Sequence, residues 1–79
     1  MREKANIIPN EVVAAIIKQN MTPLQAWREY LQVSQQELAV RLGISEMQML
    51  AWEKQPELHK ANLKKVAAAL RLNVEQLNI

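Results

Sequence analysis

Between Val33 and Lys54 the chain carries two short stretches of helical periodicity, each opened by a serine and separated by its single glycine. Ser34 is followed three residues later by Glu37, the spacing of a reciprocal N-terminal cap. Leu38, Ala39 and Leu42 continue the period, and Gly43 stands where such a helix must end in a left-handed conformation. Ser45 then caps a second helix, expected from Glu46 to about Lys54, which Pro56 prevents from continuing. Ala39 is small enough to let the second helix cross the first closely. Leu38, Leu42, Ile44, Met49 and Trp52 are the expected interior of the pair.

The same reading organises the rest of the chain. A first helix is expected from Pro9 or Asn10, capped by Asn10, with Val12, Val13, Ile16 and Ile17 on its apolar face, ending around Gln19 to Met21. Thr22-Pro23 restarts a helix, with a side-chain oxygen for the cap and proline at the first helical position. Leu24, Trp27 and Leu31 line its inner face, and Arg28 and Glu29 are expected to point elsewhere. After a loop through Leu58 and His59, a fifth helix carries Leu63, Val66, Ala67 and Leu70 inward. Asn73 is the expected cap of a last turn, Val74 to Leu77, with Leu77 and Ile79 closing the core. The expected fold is an all-α compact bundle of five to six short helices. Residues 1–21 form an N-terminal arm or helix, and 22–79 the main domain, because Met21-Thr22-Pro23 is the best internal break.

A chain of 79 residues buries only about 60% of its unfolded surface, so stability is thin. Without cysteine neither a disulfide nor a thiolate zinc site can reinforce it, which leaves helix packing, with or without dimerisation. Ten Lys/Arg against eight Asp/Glu give a net charge of +2, which permits nucleic-acid binding without arguing for it. Lys54, Lys60, Lys64, Lys65 and Arg71 gather in the last third, either as a phosphate-facing set or as a solvated helix face. Arg2 and Lys4 precede an apolar stretch that Pro9, Asn10 and Glu11 interrupt, so no signal-peptide core is expected. No run approaches the ~20 apolar residues of a membrane span. The expected setting is cytoplasmic, with no membrane partner.

The stretch WREYLQVSQQELAVRLGISEMQMLAWEK resembles the XRE/Cro family, the helix-turn-helix domain of phage repressors. The resemblance rests on Arg28, Ser34-Gln35, Glu37-Leu38-Ala39, Leu42-Gly43-Ile44-Ser45 and Trp52-Glu53, and continues through Leu63, Val66, Ala67 and Leu70. It covers about Leu24 to Leu77 and implies a lambda-repressor-like fold that binds double-stranded DNA. Carried over by position, Gln35 would bond a DNA phosphate through its amide, against the plain alternative of a polar first-turn residue. Arg28 and Glu37 would form the internal ion pair. Ser45, Glu46, Met47 and Ala51 would face the major groove, and Gln48 would lie near the backbone of the other strand. Lys54 and Lys60 flank a loop that such proteins set against phosphate. Gln32, Gln55 and Arg71 stand where the family often has glycine. A slightly different turn is expected at Gln32 and Arg71, and a rearranged loop at Gln55-Pro56.

The expected function is sequence-specific transcriptional repression by a homodimer, with recognition helices about 34–36 Å apart in successive major grooves. The arm IIPNEVVAAIIK followed by TPLQAWREYL is similar to XRE-type antitoxins, which implies a toxin protein as a second partner; otherwise residues 10–20 complete the core or a dimer interface. The groove-facing positions lack the arginine and asparagine of usual base readout. Glu46 can accept from a cytosine amino group, and Met47 or Ala51 can pack on a thymine methyl, yet Glu46 also repels phosphate. Met47 and Leu50 would leave an apolar stripe, the mark of the rival function, a protein-interaction module with little DNA binding. An enzyme is not expected: one His, no Cys and no Asp offer no catalytic constellation, and no cofactor or metal is expected.

Overall fold

A computed structural model describes residues 8–55 and 57–78 of the chain. Among these residues six helices follow one another: α1 Asn10–Gln19, α2 Pro23–Tyr30, α3 Gln35–Leu42, α4 Glu46–Lys54, α5 Lys60–Leu70 and α6 Val74–Leu77. No strand occurs among the described residues. The protein is an all-helical bundle, as its residue pattern predicts. Pro56 as a helix stop, Ile79 as a core residue, and Arg2 and Lys4 lie outside the described residues.

Local chemistry sets most of the boundaries. Thr22, Ser34 and Ser45 each accept a hydrogen bond from the backbone N–H three residues on, at 3.3, 3.0 and 3.1 Å, and Pro23 takes the first position of α2. Only half of the box at Ser34 forms, because Glu37 turns its carboxylate to Arg41 at 2.9 Å. Asn10 is not the cap of α1: it is already helical, and the Pro9 carbonyl receives the N–H groups of Val12 and Val13. His59, expected in the loop before α5, caps that helix, its Nδ1 accepting from the Ala61 N–H at 3.4 Å. At α6, Gln76 Oε1 accepts from the Asn73 N–H at 2.9 Å.

Three helices end alike. At Gly43 (φ 70°) the N–H groups of Gly43 and Ile44 reach back to Val40 and Ala39. Gln32 (φ 61°) and Arg71 (φ 60°) repeat that pattern, with Val33 and Leu72 following them into the core. The expectation of a different turn at Gln32 and Arg71 is therefore corrected. Two backbone hydrogen bonds and an apolar contact hold a left-handed conformation that costs an L-residue roughly 1–2 kcal/mol. Gln32→Gly is expected to raise the unfolding free energy by about 0.5–1 kcal/mol. Gly43→Ala should lower it by about 1 kcal/mol, since a Cβ there would meet nothing within 4 Å and only the conformation matters. Urea unfolding of the two variants should show shifts of opposite sign.

All six helices feed one core. Val12 of α1, Leu24 and Trp27 of α2, Leu38 of α3, Met49 of α4, Val66 and Leu70 of α5, and Leu77 of α6 are buried together. Helix α1 lies against α2, so the break at Met21-Thr22-Pro23 is a bend between two helices of that core. Ile17 does not join the inner face of α1; it is 72% exposed, whereas the adjacent Ile16 packs against the core. Leu31, at the end of α2, is also partly exposed. Arg28 corrects the expectation most sharply, since it points inward and is only 8% exposed.

Candidate nucleic-acid interface

Helices α3 and α4 pack on each other across the three-residue connector Gly43-Ile44-Ser45. Periodicity divides α4 in two. Met49 and Glu53, four apart, are buried, and Trp52 is half-buried beside them. Glu46, Met47, Gln48, Leu50, Ala51 and Lys54 face out. Met47 is 79% exposed and Leu50 45%, so the expected apolar stripe is present. Its flanking charges suit the helix dipole, with Glu46 in the first turn and Lys54 in the last. That leaves the outward face of α4 with one cation and one anion, and no excess positive charge of its own.

What holds α4 in place is a buried polar knot. Arg28 Nε donates to Glu53 Oε2, Arg28 Nη2 lies 3.5 Å from Oε1, and Arg28 Nη1 donates to the Val33 carbonyl at 2.8 Å. Gln35 Nε2 donates to Glu53 Oε1 at 2.9 Å, and the Thr22 hydroxyl donates to the Glu53 backbone oxygen at 2.6 Å. One glutamate thus ties the end of α4 to the starts of α2 and α3 and to the α2–α3 turn. Such a pair is sustained in low dielectric only when the remaining lone pairs and N–H groups also find partners, as they do here.

This geometry corrects the expected Arg28–Glu37 pair. Arg28 is buried, so its partner must lie on an inward face. Glu37 is exposed and bonds Arg41 one turn along its own helix. Glu53 was the residue missed. Its signal was legible: it lies four residues after Met49, and so on the same inner stripe of α4.

The remaining candidates divide into those near α4 and those apart from it. Gln35 is half-buried, with one amide hydrogen committed to Glu53; the second hydrogen and the oxygen remain outside that bond. Ser45 is the cap of α4, and its exposed position leaves the hydroxyl at the start of the outward face. Lys60 opens α5 and lines a groove of ≈ 320 Å³ with Pro23, Gln55, Glu57 and Leu77. A carboxylate therefore sits in the same groove as that lysine. Gln55, the C-cap of α4, is extended (φ −78°, ψ 122°), which gives α4 an ending unlike those at Gln32, Gly43 and Arg71.

Among the described residues no group of three or more His, Cys, Asp or Glu side chains could hold a metal ion. No helix among the described residues is long and apolar enough to cross a membrane. Compared with family models, with curated proteins and with solved structures, the chain finds no match.

Proposed function

We propose that this protein is a sequence-specific DNA-binding regulator that reads the major groove with α4, using α3 and its connector as a helix-turn-helix. It acts as a cytoplasmic homodimeric repressor, with an antitoxin-type pairing to a toxin protein as the finer form of the reading. The supporting observation is the division of α4. Its inner stripe is locked by Met49 and the Arg28–Glu53–Gln35 knot, while its capped N-terminal half stands exposed as a rigid outward face. Base readout needs that combination, because a contact must be presented in one orientation before its hydrogen bonds can discriminate.

Within this reading Met47 and Ala51 pack on thymine methyls and Glu46 accepts from a cytosine amino group. Gln35 offers its second amide hydrogen to a phosphate, with Glu53 setting the plane of the amide. Gln48, Lys54 and Lys60 contact the flanking backbone. Selection from random duplex DNA at about 150 mM salt is expected to enrich a near-palindrome with half-sites about 10 base pairs apart. Met47→Ala should cost about 1 kcal/mol, roughly fivefold in affinity, and relax preference at one base pair per half-site. Absence of any enriched motif would refute the reading.

The exposed Met47–Leu50 stripe favours a second reading, in which the same face binds a protein. Lys60→Ala separates the two, because Lys60 is exposed and lies outside both the Glu53 knot and the Met47–Leu50 stripe: it weakens DNA binding and spares a protein complex. Met47→Asp with Leu50→Asp damages the protein complex most.

A further inference from the structure

Away from α4, the seam between α3 and α5 forms a second surface that shares no residue with the proposed DNA face. Two adjoining grooves of ≈ 490 and ≈ 370 Å³ run along it and have Arg41 and Ala69 in common. Their floor is apolar, with buried Val33 and Leu70 in one and half-buried Leu42 in the other and exposed Leu31 at the edge, while Ala68 and Ala69 keep the α5 side low. Their rim is cationic, formed by Arg41, Lys65 and Arg71, and no carboxylate lines either groove.

Neither Lys65 nor Arg71 has an ion-pair partner among the described residues. Arg41 is held across the seam, Nη1 donating to the Ala69 carbonyl at 3.2 Å and Nη2 to Glu37 at 2.9 Å, which leaves further N–H donors on the same guanidinium.

We propose that this seam docks an acidic amphipathic segment of a partner protein. A nucleic-acid backbone would use the cations but not the apolar floor, and an uncharged helix would leave Lys65 and Arg71 without partners. A segment with apolar side chains at i, i+3 and i+4 and carboxylates beside them engages both, the carboxylates forming charge-assisted bonds to the guanidinium groups. The short side chains of Ala68 and Ala69 let its backbone approach closely.

The test is a selection of displayed random 12-residue peptides on the full chain, counter-selected on the chain carrying Lys65→Glu and Arg71→Glu. Both positions are exposed, so a thermal melt should show the double variant folded. Enriched peptides are expected to combine Asp or Glu with large apolar residues at helical spacing. By fluorescence anisotropy they should bind the double variant at least tenfold more weakly and be indifferent to Met47→Asp. Failure to enrich any peptide, or enrichment of uncharged or basic ones, overturns the proposal. So does equal binding to the double variant. Loss of duplex-DNA affinity in that variant without peptide enrichment would make the seam a phosphate contact. Self-association abolished by the same substitutions would make the occupant another copy, and either result removes the foreign partner.

Discussion

The chain carrying Glu53→Ala is expected to lose about 3–5 kcal/mol of unfolding free energy, enough to bring a domain of this size to the edge of unfolding at room temperature. Glu53 is only 5% exposed, and its carboxylate receives Arg28 and Gln35 at once. Removing it strands a guanidinium that is nearly as deeply buried. The Val33 carbonyl and the exposed Glu29, 3.6 Å away, are the partners left to that guanidinium, and neither compensates a buried charge. The physical claim is that the unpaired cation, not the lost volume, dominates. Arg28→Met combined with Glu53→Leu therefore serves as the control. It removes both charges, keeps most of the packing, and should recover at least half of the loss. Urea denaturation of the two variants decides it. Equal destabilisation of the single and double variants would show that packing around α4, and not the ion pair, carries the energy.

Trp27→Ala is expected to be comparably severe, about 3–5 kcal/mol, and its consequence should be local as well as global. The indole is buried at the centre of α2, packs edge-on against Tyr30 (6.0 Å, 85°) and donates through Nε1 to the Gln76 carbonyl at 2.8 Å. That bond spans 49 residues of sequence and fastens α6 to α2. A four-residue helix cannot stand without such support, because helix nucleation is unfavourable at that length. Hydrogen exchange should show the protection of Leu77 and Asn78 collapsing in the alanine variant. Trp27→Phe keeps most of the apolar area and loses the hydrogen bond, so it should cost nearer 1–2 kcal/mol and retain α6. Full loss of α6 protection in the phenylalanine variant would mean that the hydrogen bond, and not burial of the ring, is what docks it.

These two residues mark the limit of what the chain's pattern discloses. Trp27 as a core position followed from helical spacing, but its partner Gln76 did not, since a tryptophan N–H can reach any carbonyl that packing brings to it. Arg28 was expected to point away because charged residues are rarely buried; it is buried because Glu53, Val33 and Gln35 complete its environment. Glu37 was the partner expected for Arg28 from the resemblance, yet an i,i+4 arginine on its own helix engaged it. Gln35 was read as a phosphate-bonding amide or a polar first-turn residue, and one of its amide hydrogens is committed inward.

The starts of α2, α3 and α4 and the end of α3 were decided locally. Thr22-Pro23, Ser34, Gly43 and Ser45 act through backbone hydrogen bonds and φ preferences within a few residues, so their effect can be read from neighbours alone. The inward stripes of α3, α4 and α5 follow from the 3.6-residue period in the same way. Tertiary structure decided the rest: which glutamate pairs with Arg28, why Gln32 and Arg71 hold turns that glycine would hold more cheaply, and why Ile17 stays in solvent. Each of these depends on what a distant segment places nearby. Burial turns an ordinary charge into one that must be paired, and a core contact offsets the strain of a turn. Neither cost exists until the helices have packed.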